Sequence, residues 1–173
     1  MNQLEIDISR DLDRKRLADQ LRLHEGYRSK VYYDTTGHAT VGIGFNLDSV
    51  SAPVHLKLAD APSREEIIAG AELTRDQIYS LLSYSIKSAI NCASKIISNY
   101  DRLSDVRKRV VIDMAFNLGC RKFSMFKNTI KAIEEERWED AARGMENSLW
   151  YKQVKSRGVR LVQMMRSGED YAS

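Results

Sequence analysis

Apolar positions along this chain fall into two patterns. From Val31 to about Leu47 the residues are β-branched and aromatic: Val31, Tyr32 and Tyr33, then Thr40-Val41-Gly42-Ile43-Gly44-Phe45. The turn-forming stretch Thr35-Thr36-Gly37-His38 separates the two runs, which predicts a β-hairpin. Elsewhere the apolar residues recur at helical spacing. Leu17, Leu21 and the adjacent Leu23 predict an amphipathic helix ending near His24 and Glu25. Ser49 to Ala61, with Pro53, reads as irregular. Pro62-Ser63 opens a short helix, with Ser63 and Glu66 spaced as a capping box, and Thr74 with Gln77 repeats that box before a longer one. In that longer helix Ile78, Leu82, Ile86, Ile90, Ala93 and Ile97 form a stripe expected to be buried. After the polar break at residues 101–104, Val106, Val110, Met114 and Leu118 mark another helix, stopped by Gly119. Three more are expected over Ser124–Arg137, Trp138–Met145 and Lys155–Ser167. The expected class is α+β and predominantly helical, a small β-hairpin lobe and a larger helical lobe with a cleft.

Composition narrows this picture. The 173 residues suit one domain, and 43% hydrophobic with 29% charged residues describes a globular protein. The expected division is an N-terminal extension over 1–14, a helix and β lobe over 15–72 and a helical lobe over 73–173. No stretch approaches the ~20 apolar residues that span a bilayer, and Met1–Arg16 lacks the apolar run of a secretory signal. A cytoplasmic start without stable membrane insertion is therefore expected. Cys92 and Cys120 have neither metal-ligand nor redox-motif spacing, which predicts two reduced, buried thiols. His24, His38 and His55 form no metal pattern, and neither metal nor cofactor is expected. The net charge is +3 and the pI ≈ 8.8. Lys152, Lys155, Arg157, Arg160 and Arg166 lie in a stretch without an acid, either a solvated face or a patch for an anionic polymer. No nucleic-acid recognition motif accompanies that charge. The Glu134-Glu135-Glu136 run reads as a solvated face, and Trp138 and Trp150 as packing residues.

The chemistry is concentrated around the hairpin. Glycoside hydrolysis needs one carboxylic acid to protonate the leaving oxygen and a second carboxylate to activate water or attack. Glu25 stands where the first helix ends, Asp34 follows the first strand, and Thr40 lies on the returning strand. Residues flanking a short turn face each other, so Asp34 and Thr40 are expected close together, able to hold one water opposite Glu25. Tyr32 and Tyr33 alternate faces, so at most one reaches this site.

The segments Leu23-His24-Glu25-Gly26, Tyr33-Asp34-Thr35 and Thr40-Val41-Gly42-Ile43-Gly44 resemble the catalytic segment of the T-even phage lysozymes, glycoside hydrolase family 24. The likeness continues through Phe116-Asn117-Leu118-Gly119, Phe126-Lys127-Asn128, Arg137-Trp138, Trp150-Tyr151, Arg157 with Arg160, and Arg166-Ser167-Gly168. It covers about Arg16 to Tyr171, apart from Asp48–Glu72. The resemblance implies a lysozyme-like fold and an endolysin, a muramidase that cleaves the β-1,4 bond between N-acetylmuramic acid and N-acetylglucosamine in peptidoglycan. It implies inversion, with Glu25 as general acid and Asp34 and Thr40 positioning the water. It also implies Phe116, Asn117 and Thr129 as cleft residues, Arg157 as the group orienting Glu25, and Asn46 at a cleft position that is apolar in the family. Phe45 stands where the family has histidine, and Gly144 where it has an asparagine. A monomer that waits in the host cytoplasm for a holin-type release, then lyses the cell, is the expected biology. The competing readings are a lytic transglycosylase and a catalytically inactive wall-binding module on the same fold.

Overall fold

The computed structural model describes residues 11–171 of the chain. The expected extension over 1–14 therefore lies, up to residue 10, outside the described residues. The rest divides into two compact units, residues 15–87 and residues 88–171 with 11–14. The division falls inside a long helix and not at residue 72.

In the first unit, α1 (Arg14–Glu25) buries Leu17 and Leu21 completely and leaves Leu23 53% exposed. Residues 17 and 21 share one helix face, and 23 does not. Strands β1 (Arg28–Tyr33), β2 (Ala39–Gly42) and β3 (Phe45–Asn46) form an antiparallel sheet in that order. The run from Thr40 to Phe45 is thus not one strand. Gly42 and Gly44 take φ of +68° and +64°, a backbone that L side chains adopt at a cost, and reverse the chain between β2 and β3. Residues 49–61 are not irregular throughout either, because α2 (Ala52–Leu58) carries Pro53 in its first turn, where a missing N–H breaks no helical bond. α3 (Arg64–Ile68) opens with the expected capping box of Ser63 and Glu66. α4 (Arg75–Ile96) opens with the reciprocal bonds of Thr74 and Gln77. Along α4 the stripe is buried as its spacing predicts, with Ile90 only half-buried.

In the second unit a 3-10 turn at Tyr100–Arg102 leads into α5 (Asp105–Leu118). Residues 108–115 of α5 are all buried, so this is a central helix enclosed on every side. Its buried charges have partners. Arg109 bonds Asp105 and both oxygens of Asp170, and Asp113 Oδ1 accepts from Arg157 Nε at 2.8 Å. Around it lie α6 (Cys120–Ser124), α7 (Lys127–Glu134), α8 (Trp138–Glu146), α9 (Leu149–Val154) and α10 (Ser156–Ser167). The short α6 and α9 escape a periodicity reading because five or six residues hold barely one period. Within the acidic run, Glu134 accepts from the Ser98 N–H at 2.8 Å, and bonds from Ser98 hold its carboxyl below the usual range. Glu135 and Glu136 are exposed. Two bases of the basic stretch are paired with acids, Arg157 with Asp113 and Arg166 with Glu139 and Glu146.

The cysteines require a correction. Cys92 and Cys120 are joined in a disulfide, and only Cys92 is buried. The α5–α6 break at Gly119 brings Cys120 within 5.7 Å (Cα–Cα) of Cys92 on α4, inside the bridging range. The 28-residue separation carries no motif that announces such an encounter. The bridge should contribute about 3–4 kcal/mol by restricting the unfolded chain. Oxidised protein should therefore show no free thiol when denatured, and added reductant should expose two and lower the urea midpoint. Two thiols without reductant, or an unmoved midpoint, would remove this role.

Candidate active site

Glu25 is the last residue of α1 and half-buried, held where the helix gives way to β1. Its carboxyl lies against the backbone of Gly44. A Cβ built on Gly44 would fall 2.5 Å from Glu25 Oε2 and 2.7 Å from its carboxyl carbon. The glycine does two things: it makes the positive-φ turn and leaves the volume that the acid occupies.

Asp34 stands just past β1, in a turn built by its own side chain. Its Oδ1 accepts from the Thr36 N–H (2.9 Å), the Thr36 hydroxyl (2.7 Å) and the His38 N–H (2.9 Å). Burial works to raise this carboxyl's pKa, but these bonds and the nearby His38 outweigh it and hold it below the usual carboxylate range. Oδ2 has no such bonds and lies 3.8 Å from His38 Nδ1.

Thr40 is 4% exposed, and its hydroxyl donates to the His38 carbonyl at 2.9 Å. Its direct partner across the ladder is Tyr32, not Asp34. Asp34 pairs with His38, its N–H donating to the same carbonyl at 3.0 Å. Asp34 thus lies one diagonal step from Thr40, and the His38 oxygen links the two. On the other side Thr40 pairs with Asn46, so Tyr32, Thr40 and Asn46 form one row across the sheet. Asn46 is exposed, with its Oδ1 taken by the Asp48 N–H at 2.8 Å. Phe45 is buried, with its ring centroid 6.5 Å from that of His55.

Tyr32 is the residue that sequence reasoning left half-chosen. It is half-buried while Tyr33 is 62% exposed, so Tyr32 is the inward member of the pair. The remaining candidates belong to the helical unit. Phe116 is half-buried at the end of α5, and the exposed Asn117 accepts from Trp150 Nε1 at 2.9 Å. Thr129 is buried beside Gly144, where any side chain would collide with its hydroxyl. Arg157 is buried and bonded to Asp113, a partner that its sequence position does not disclose. Trp150 is buried, and Trp138 lies half-buried with the Arg107 guanidinium 4.0 Å from its ring centre. Among the described residues no three His, Cys, Asp or Glu side chains gather into a metal site.

The Phage lysozyme family matches residues 22–166. The chain belongs to that family. Residues 22–166 include Glu25, Asp34 and Thr40 together with the helices of the second unit up to the last residue but one of α10. The chain is similar to a probable T4-type lysozyme of Dictyostelium discoideum, 30% identical over 162 residues that cover 88% of this chain and 94% of the relative. It is also similar to the pre-baseplate central spike protein Gp5 of Enterobacteria phage T4. There the identity is 28%, over 88% of this chain and 28% of the relative. The peptidoglycan hydrolase gp36 of Pseudomonas phage phiKMV is 26% identical over 84% of this chain and 14% of that protein. As a phage lysozyme the chain is a glycoside-hydrolase type of enzyme.

Gly44→Ala tests the contact at the helix end. The added methyl must displace the Glu25 carboxyl, so activity should fall on the order of 100-fold while the protein stays folded. Wild-type rates in a cell-wall clearing assay would show that the acid tolerates displacement. Thr36→Val tests the Asp34 turn. Asp34 titrates below its unfolded value, so its ionised form stabilises the fold above that value, a contribution lost as pH falls through the folded one. Removing the Thr36 hydroxyl should move the Asp34 carboxyl titration, followed by carbon-13 NMR, upward towards the usual range. A downward or absent shift would count against the hydrogen-bonding account.

Proposed function

We propose that this phage lysozyme is an inverting muramidase acting on the β-1,4 bond between N-acetylmuramic acid and N-acetylglucosamine in bacterial peptidoglycan. The observation that carries the reading is the pairing of an acid at a helix end with an ionised carboxylate and a threonine oxygen on one hairpin. Glu25 donates its proton to the glycosidic oxygen. A water donates one hydrogen to Asp34 Oδ2 and the other to Thr40 Oγ1. Thr40 can only accept from that water, because its own hydrogen is given to His38. The water's lone pair then attacks the anomeric carbon from the face opposite the leaving oxygen. Asp34 takes up the released proton, Glu25 is left ionised, and exchange with solvent restores both. The β-linkage becomes an α-anomer.

The substrate contacts follow the family resemblance. Asn46 extends the row of Thr40 and meets the sugar from the sheet. Phe116 and Asn117 offer an apolar face and an amide, whereas Thr129 and Arg157 act from buried positions. The enzyme works as a monomer and lyses the host after release from its cytoplasm through a separate hole-forming membrane protein. No helix among the described residues is long and apolar enough to cross a membrane. The Cys92–Cys120 bridge suits an oxidising destination.

Glu25→Gln should abolish turnover while preserving the fold, since the amide keeps the shape and lacks the proton. A tenth of wild-type turnover in that variant would remove Glu25 from the acid role. Mass spectrometry of fragments from purified peptidoglycan should find reducing muramic-acid ends, and anhydro ends would mean a transglycosylase. NMR of the first product should show the α-anomer, and a β-anomer would recast Asp34 as a nucleophile.

A further inference from the structure

Asn46 is exposed, yet its amide is held in one orientation. Its Oδ1 accepts the Asp48 backbone N–H at 2.8 Å. Only the amide oxygen can accept there, so this bond also decides which end of the amide is nitrogen. Asp48 is in turn fastened at both carboxylate oxygens. Its Oδ2 accepts the Ala39 N–H at 3.1 Å, and its Oδ1 accepts from Arg64 Nε at 3.1 Å and Nη2 at 2.7 Å. Ala39 precedes Thr40 on β2, so the latch ties the Asn46 amide to the strand that carries the threonine. Thr40 and Asn46 are also direct partners on the β2–β3 ladder, which puts their side chains on one face with Cα atoms about 5 Å apart. The Asn46 Nδ2, with two hydrogens, donates to no acceptor among the described residues.

We propose that Asn46 is a specificity-determining residue: its Nδ2 donates to the acetamido carbonyl of the sugar whose anomeric carbon is attacked, so that the enzyme selects N-acetylated glycan. The inference rests on the muramidase reading and on the water held by Asp34 and Thr40. That water lies against the anomeric carbon, and the acetamido group is carried by the next carbon of the ring. A donor one strand over from Thr40 therefore meets the substituent at that carbon. The chemistry is matched, because an amide oxygen is the strongest neutral acceptor on either sugar. A donor already fixed by the Asp48 latch loses little freedom on meeting it. Where the acetyl group has been removed, the same position carries an amine, which in mildly acidic solution is an ammonium without a lone pair. Nδ2 then faces another donor and gives up hydration without gaining a bond. A glycan of free amines is accordingly a poor substrate even though its β-1,4 bonds are intact.

Wild type and variants are assayed in mildly acidic buffer on N-acetylated glycan strands from purified peptidoglycan and on the same strands after de-N-acetylation. Re-acetylated strands control for damage. Wild-type kcat/KM should be about tenfold or more higher on the acetylated strands. Asn46→Leu keeps the size of the side chain and removes the donor. It should lose about tenfold on acetylated strands and little on amine strands, which closes the preference. Asn46→Asp keeps the bond from the Asp48 N–H and turns the outward donor into an anionic acceptor, so the preference should reverse in favour of the amine strands. The ratio of the two rates is read in each variant, because a disturbed fold lowers both rates together and leaves the ratio where it was. If Asn46→Leu does not fold, Asn46→Asp decides alone. An unchanged ratio in a folded variant, or a wild type without preference, overturns the role of Asn46 and leaves the muramidase standing. A wild type that releases no reducing muramic-acid ends from acetylated strands removes the muramidase reading, and the role of Asn46 with it.

Discussion

The seating of the Glu25 carboxyl against a backbone without a side chain is the constraint around which the hairpin unit is organised. A carboxyl at a helix C-terminus faces unpaired carbonyl oxygens, an environment that does nothing to fix an acid. The Gly44 turn leaves the volume that this carboxyl occupies, and the turn exists because Gly42 and Gly44 can take positive φ. The same turn splits the apolar run into β2 and β3. It thereby brings Asn46 alongside Thr40 and completes the row that begins with Tyr32. One steric requirement thus sets the sheet's third strand, the space occupied by the Glu25 carboxyl and the place of Asn46 beside Thr40.

Asp34 shows a second economy of construction. Three donors saturate Oδ1 and define the turn, which leaves Oδ2 outside these bonds. The carboxylate oxygen that builds the turn is thus not the one left accessible. Thr40 divides its hydroxyl in the same way, giving its hydrogen to the fold and keeping its lone pairs.

The class of fold was legible because it depends on short-range signals. Helical spacing, paired capping residues and a glycine stop are local, and the α4 stripe and the α5 boundary follow from them. The places of Glu25 at a helix end and of Asp34 and Thr40 about a turn were legible for the same reason. What escaped depends on register or on encounters far along the chain. Taking 40–45 as one strand hid the turn, and assuming that Asp34 faces Thr40 hid Tyr32 as its true partner. The Asp113–Arg157 pair spans 44 residues and involves an acid that, read locally, belongs to an ordinary helix. The disulfide was misread because compartment was inferred from the chain's opening residues, whereas bridging is decided by which side chains meet.

The bridge between α4 and α6 also bears on how long the molecule lasts. Cleavage by proteases proceeds mainly through opened states, so the population of those states governs degradation when opening and closing are fast. With the two sulfurs separate, the helical unit opens more often and is trimmed more readily. With them joined, the segment from Cys92 to Cys120 opens only with much of the unit around it. The same polypeptide is therefore short-lived wherever thiols are kept reduced and durable wherever they are not, a difference in lifetime that requires no inhibitor and no change of sequence.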